Sequence, residues 1–295
     1  MSPSDKLRYF LFNLMNNLYT KIRMQDTKVE KFNPPKSVVI KHLSTVNEPT
    51  SPSRIMSNIF WEQLDWKLIR TKLNGEIRVL EVGCGTGRYG KKLNHLASIN
   101  SYKGVDIEAR EEWRLDKLDH FFFQRASFED FSSFISRENL IVTQSALEHF
   151  DQDLQFFESI GNYAKTSDFP VISIHLFPSP IGLFTFLLHG IRQYNRRSIL
   201  KLIKSSGTPQ IVNLYILGGF RSNLFHLVQI TLRSVIFRKP LSSKYLSSYV
   251  NKMSGVLVRD SESKSKFSPS FYALILAWNT EKVEINWVSV SKSSR

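Results

Sequence analysis

The chain of 295 residues is 42% hydrophobic and 13% aromatic, which excludes a disordered chain and leaves room for one large core or two modest ones. A single cysteine, Cys84, excludes an intrachain disulfide and a cysteine-only zinc site; with no cleavable leader legible near the start, it predicts a reducing, cytoplasmic setting. The net charge of +14 is unevenly spread: residues 169–259 contain no Asp or Glu, yet hold Arg192, Arg196, Arg197, Lys201, Lys204 and further basic residues.

In chain order, residues 4–24 space Leu7, Phe10, Leu11, Leu14, Leu18 and Ile22 for an amphipathic helix, with Ser4 or Asp5 as its cap. Residues 28–53 are rich in Pro, Ser and Thr and read as a connecting arm. Residues 55–73 return to a helical pattern that carries Trp61 and Trp66. Strand patterns at 77–82, 102–106, 121–124, 140–143 and 171–176 then alternate with helical stretches, which predicts right-handed β-α-β units on a mostly parallel sheet. The acid-free stretch reads as a basic helical cap inserted after the fifth strand, and 271–278 and 283–290 as strands that close the sheet. The expected organisation is a helix and arm over 1–53, an α/β core over 54–176, the cap over 177–254, and closing strands and a tail over 255–295.

The loop after the first strand, IRVLEVGCGTGRYG, contains two overlapping glycine patterns. From Gly85, GTGRYG fits G-x-G-x-x-G, which sets a dinucleotide pyrophosphate on a helix N-terminus. From Glu81, EVGCGTG fits acidic-x-G-x-G-x-G. Glu81 decides between them, because a carboxylate at the strand tip repels a pyrophosphate and suits a cationic ligand. S-adenosylmethionine is such a ligand, with a sulfonium, an α-amino group and no phosphate. Gly83, Gly85 and Gly87 let the backbone turn sharply and approach it. Asp106 ends the second strand, where its carboxylate can accept hydrogen bonds from both ribose hydroxyls, and Ile107 beside it can pack on adenine. Asp106 alone suits NAD equally well.

EVGCGTGRYG, YKGVDIEA and SALEHF (145–150), in this order and spacing, resemble the motifs of class I S-adenosylmethionine-dependent methyltransferases. The resemblance covers roughly residues 54–176. It implies a seven-stranded Rossmann-like sheet with an antiparallel final strand, S-adenosylmethionine as cofactor, and methyl transfer. Carried over by position, Glu81, Gly83 and Gly85 line the methionine and ribose side, Asp106 the ribose, Ile107 the adenine, and Ser145 the far wall. Two positions depart from the pattern. QRASFED puts Ala126 where the family often has an Asp for the adenine amino group, which leaves Ser127 or a backbone carbonyl to serve; Asn139 replaces the usual Asp before the fourth strand. The L-E-H form of the third motif suggests a small molecule, glycan or lipid-linked precursor as acceptor, methylated on oxygen or, second, on nitrogen.

His149 in that motif and His175 at the end of the fifth strand are candidate bases for taking a proton from an acceptor hydroxyl, each also open to a structural role. Cys84 has no histidine or charge partner for a nucleophilic role, and no cluster has metal-ligand spacing. Asn33-Pro34-Pro35-Lys36 matches an N-P-P-aromatic motif only up to its aromatic, and precedes the glycine loop. Three rival readings stay open: an RNA methyltransferase that uses the basic insertion, a catalytically silent fold that binds partners, and an NAD-dependent oxidoreductase. Within the insertion, Ile181, Phe184, Leu187, Leu188 and Ile191 can form an apolar stripe that basic residues follow at once, as in a helix lying in a lipid interface. Pro178 and Pro180 argue against a membrane span. The cap is thus expected either to rest on an anionic membrane surface or to have a basic face that is merely solvated.

Overall fold

The computed structural model describes residues 3–17, 24, 27–115, 118–186, 190, 192–233, 245–281 and 285–288. In chain order the elements are α1 (Pro3–Asn17), β1 (Lys28–Lys31), α2 (Lys36–Leu43), α3 (Pro52–Gln63), α4 (Trp66–Lys72), β2 (Arg78–Val82), α5 (Arg88–Ala97), β3 (Ser101–Asp106), α6 (Glu112–Leu115) and β4 (Phe121–Arg125). Then follow α7 (Phe131–Phe134), β5 (Leu140–Gln144), α8 (Asp153–Thr166), β6 (Val171–Pro178), α9 (Gly182–Thr185), α10 (Arg196–Ser205), β7 (Ile211–Leu217), α11 (Phe220–His226), α12 (Leu246–Glu262) and β8 (Phe271–Trp278). A π-helical segment, Leu227–Leu232, continues α11.

The eight strands form one sheet in the order β1-β7-β8-β6-β5-β2-β3-β4. Every pairing is parallel except those of β8, which runs antiparallel between β6 and β7. This is a Rossmann-like α/β sheet with an antiparallel final strand, as expected, and β1 is an eighth strand added at one edge. The central strands are apolar without alternation because helices cover both faces: all eight residues of β6 and of β8 are buried. One face packs against α3, α4, α5 and α12, the other against α7, α8 and α10. From β2 the chain winds outward through β3 to β4, then returns to β5 on the other side of β2. That reversal opens a crevice at the C-terminal ends of β2 and β5, where ligands of open α/β sheets bind.

Four stretches differ from the expectation. The arm at 28–53 instead contains β1, which pairs with the open edge of β7, and α2, which buries Val39 and Leu43. The single helix expected over 55–73 breaks at Leu64, whose extended backbone ends α3; Asp65 then caps α4 by accepting the Leu68 N–H at 2.9 Å. The segment 177–254 is not only a helical cap, because β7 lies deep in the sheet between β1 and β8. Of the strand expected over 283–290, residues 283, 284, 289 and 290 lie outside the described residues. The described part makes one bridge, Val288 with Leu64, and buries Trp287, whose Nε1 donates to Asn213 Oδ1 at 3.2 Å. Residues 18–23 of the first expected helix also lie outside the described residues.

The fit between α8 and the end of α10 allows no side chain at Gly161. A Cβ there would meet the main-chain oxygen of Ser206 at 2.3 Å. Helix propensity alone would make Gly161→Ala stabilising by roughly 0.5–1 kcal/mol. Overpacking against backbone reverses the sign, and urea unfolding should show a loss of about 1–3 kcal/mol.

Candidate functional site

The crevice is built around a glycine loop that joins β2 to α5. Gly83 and Gly85 both adopt positive φ, 77° and 53°. At Gly83 a Cβ would stand 2.3 Å from that of Ala146, so the loop can pass the start of the β5 turn only as glycine. At Gly85 a Cβ would meet nothing within 4 Å, since it would project into open space above the loop. Gly87 leads into the first turn of α5. The loop is tied to the tip of β3: Gly83 and Cys84 donate N–H to the Val105 carbonyl, at 2.7 and 3.1 Å. Asp106 Oδ2 accepts the Gly85 N–H at 2.8 Å, and Oδ1 accepts that of Glu108 at 3.2 Å. Trp113 closes the outer side, with its Nε1 donating to the Gly85 carbonyl at 2.7 Å and its ring stacked on Phe123 at 5.3 Å.

Beneath the loop lies Glu81, buried, with Oε2 accepting the Tyr102 hydroxyl at 2.6 Å. Burial pushes its carboxyl up to about 8, against the opposing effect of the Tyr102 hydrogen bond. The Tyr102 ring lies so close to α5 that a Cβ at Gly90 would meet it at 2.5 Å. The same burial pushes the Cys84 thiol up, which suits an inert loop residue rather than a nucleophile.

Two cavities, each of about 240 Å³, open on this crevice. The first lies over the loop, among Glu81, Gly83, Gly85, Thr86 and Tyr89. The second is lined by Ser53, Ser57, Glu148, Pro178, Phe186 and Gln193. Arg54, Gln144 and Ser145 line both and form the wall between them. Gln144 is held there by Trp61, whose Nε1 donates to its Oε1 at 2.7 Å, and Trp61 is in turn stacked on Trp66. Ser145 has φ of 52°, a conformation costly for a residue with a Cβ, and is fixed by its N–H to the Leu176 carbonyl at 2.9 Å.

The second cavity contains polar atoms that the protein leaves unmatched. Glu148 is 2% exposed and Ser57 1% exposed, yet Glu148 Oε2 and Ser57 Oγ make no hydrogen bond among the described residues. Burial pushes the Glu148 carboxyl up to about 8, against a hydrogen bond from its own main chain and the positive charge of Arg54. A buried carboxyl oxygen and a hydroxyl without partners on a cavity wall are equipped to meet polar groups of a ligand.

The sequence-derived residues divide accordingly. Glu81, Gly83, Gly85 and Ser145 line the first cavity, and Asp106 supports it through Gly85. Ile107 is exposed just beyond β3. Ser127 caps the helical turn Phe128–Asp130 by accepting the Glu129 N–H at 3.4 Å. His149 is exposed on the turn Leu147–His149 and lines neither cavity. His175 is buried between sheet and α8, with Nδ1 3.0 Å from Thr143 Oγ1 and its ring against Phe157; burial lowers its pKa to about 3, and it lines neither cavity. Arg54, Ser57, Trp61, Trp113, Gln144 and Glu148 were not legible as site residues. Only Glu148 had a local signal, as the middle of L-E-H. No group of three or more metal-ligating side chains occurs among the described residues.

Solved structures with a similar fold include a SAM-dependent methyltransferase from Archaeoglobus fulgidus, 14% identical over 77% of this chain and 94% of that one, with a TM-score of 0.44. The plantazolicin methyltransferase BamL, solved with a triazolic desmethylPZN analog and SAH, is 15% identical over 83% of this chain and 90% of that one, with a TM-score of 0.49. The methyltransferase domain of bacterial CtHen1-CN is 14% identical over 72% and 96%, with a TM-score of 0.44. No family model matches the chain, and no curated protein matches it.

The two buried carboxyls should be visible in the pH dependence of stability. Each is raised from 4.5 to about 8, so the folded chain keeps a proton that the unfolded chain releases. That contribution is complete below the unfolded value and is lost as pH rises through the folded one. Glu81→Gln and Glu148→Gln have no such proton to lose. The stability of each variant relative to the parent should therefore climb between about pH 5 and pH 8 in urea unfolding.

Proposed function

We propose that the chain is an S-adenosylmethionine-dependent methyltransferase that methylates an oxygen, or second a nitrogen, of a small-molecule, glycan or lipid-linked acceptor. The observation that supports it most is the pair of adjoining cavities that meet at Arg54, Gln144 and Ser145, one over a glycine loop with a buried acid beneath, the other with an unmatched carboxyl. The donor fits the first cavity chemically. Glu81 offers a carboxyl to the α-amino group, Arg54 a guanidinium to the carboxylate, and Asp106 spare lone pairs to the ribose hydroxyls. When bound, S-adenosylmethionine supplies a methyl carbon on a sulfonium that needs no further activation to leave. The chain's own residues then have to align the acceptor and manage one proton.

Glu148 is the residue we assign to that proton. It is buried on the wall of the second cavity, beside the Gln144–Ser145 junction, with one oxygen uncommitted, and its raised pKa lies near working pH, where a base is most effective. His149 faces solvent and His175 is enclosed by aromatic rings, so neither adjoins an acceptor in this cavity.

Calorimetry with S-adenosylmethionine, its demethylated product and NAD tests the donor. The first two should bind and NAD should not; the reverse would overturn the assignment. Asp106→Ala removes a charged acceptor that fixes the loop and should weaken donor binding by about tenfold or more, with the fold retained by circular dichroism. Gly85→Val puts a branched side chain into the cavity at positive φ and should abolish binding. With an acceptor from a compound panel, Glu148→Gln should lower kcat by about a hundredfold or more at little change in donor affinity, while His149→Ala stays near the parent. Equal losses for both would remove Glu148 from the role.

A further inference from the structure

The first helix is inside out for a helix in contact with water. α1 buries Asn13, 2% exposed, and leaves Leu7, Leu11, Phe12, Leu14 and Met15 between 38% and 71% exposed. Asn13 is inside for a reason: its Oδ1 accepts the Gln193 N–H at 2.9 Å, which pins α1 to the chain just before α10. A second apolar stripe runs along α11 and its π-helical continuation. Phe220, Leu224, Val228 and Leu232 recur at every fourth residue and are 41% to 54% exposed. α9 joins the two. Its exposed Phe184 meets Phe10 of α1 edge-on at 6.4 Å, and the carbonyl of Thr185 accepts the Thr231 hydroxyl. Large apolar side chains grouped on neighbouring helices mark a surface that is covered when the protein works.

We propose that this surface docks on the headgroup region of an anionic lipid bilayer. Charge complementarity selects the occupant. Residues 169–259, which include α9, α10 and α11, carry no carboxylate that a negative surface would repel. Arg8 sits within the exposed face of α1, and the half-buried Arg233 follows Leu232 at the end of the second stripe; neither pairs with a carboxylate among the described residues. A second copy would bring another chain of net charge +14 to the same surface. Nucleic acid would set its phosphates against Leu7, Leu11, Met15, Leu224 and Val228, which offer them no counter-charge. Exposed leucines, a methionine and phenylalanines, with Arg8 and Arg233 on the same elements, suit the boundary between acyl chains and anionic headgroups. No described helix is long and apolar enough to cross a membrane, so the contact is one of lying on the surface. The surface backs onto the second cavity, since Gln193 and Phe186 line it. If the proposed function holds, the acceptor site therefore stands beside the lipid, as a lipid-linked acceptor requires.

The test is cosedimentation of the full chain with vesicles of phosphatidylcholine alone or mixed with phosphatidylglycerol, which needs neither donor nor acceptor. The parent should sediment with the anionic vesicles, less so as salt rises, and hardly at all with the neutral ones. Leu11→Glu with Met15→Glu should weaken binding by about tenfold or more, as should Leu224→Glu with Val228→Glu, with circular dichroism unchanged because all four residues are exposed. Arg8→Glu with Arg233→Glu should remove most of the preference for phosphatidylglycerol. No sedimentation at low salt, or binding that both apolar double variants leave intact, overturns the proposal. So does a parent that is dimeric without vesicles and becomes monomeric in Leu11→Glu with Met15→Glu, which would assign the face to a second copy. Donor binding is measured separately by calorimetry, so failure here leaves the methyltransferase reading standing.

Discussion

A carboxyl buried under the glycine loop and held by one phenol hydroxyl is the constraint on which the site depends. Burying Glu81 is costly, and the Tyr102 hydroxyl is the hydrogen bond that offsets part of that cost. To deliver it, the Tyr102 ring must lie between β3 and α5, with Phe121 and Phe123 against it at 4.7 and 5.7 Å. That in turn requires Gly90 on the facing turn of α5. The aromatic layer carries on to Trp113, which stacks on Phe123 and clasps the loop from outside. One buried acid is thus coupled to the spacing of a helix, a strand and a loop.

The second wall of the crevice is set by packing far from the glycine loop in sequence. From α3, Trp61 fixes Gln144 while Arg54 and Ser57 face the cavities. Stacking of Trp61 on Trp66 needs the chain to turn at Leu64, which explains why α3 and α4 are two helices. The strained Ser145 and the glycine at 83 stand back to back across Ala146, so the two loops define each other's path. Chemistry at the junction is then a matter of which side chains the two loops leave unpaired, and Glu148 is the one with an acidic proton.

The acid-free segment serves two ends. β7 gives the sheet an inner strand, and there charge is excluded because both its faces are buried in the core. α9, α10 and α11 lie outside the sheet, and burial does not account for the lack of carboxylates at their exposed positions. α10 buries Ile199, Leu202 and Ile203 and turns its lysines outward, an ordinary amphipathic helix with a one-signed polar face. Of the apolar stripe expected over residues 181–191, Phe184 is exposed and Ile181 half-buried; Leu187, Leu188 and Ile191 lie outside the described residues.

The sequence by itself determined the strands from 77 to 176 and at 271–278, because each is a short apolar run flanked by turn residues, and that pattern is local. It also determined the glycine loop with Glu81 and Asp106, since positive φ and a strand-end carboxylate are demands on single positions. The tertiary structure decided what depends on a distant partner. KVEK has no apolar alternation, and becomes β1 only because β7 leaves an edge open. Residues 211–217 read as part of a cap until the antiparallel β8 gives them a neighbour. In L-E-H the glutamate turns inward and the histidine outward because Leu147 is buried on a helical turn, and a motif does not state its orientation. The periodicity of α1 marks an apolar stripe, but not that Asn13, bonded to the Gln193 N–H, is the residue turned inward while Leu7, Leu11 and Leu14 are exposed.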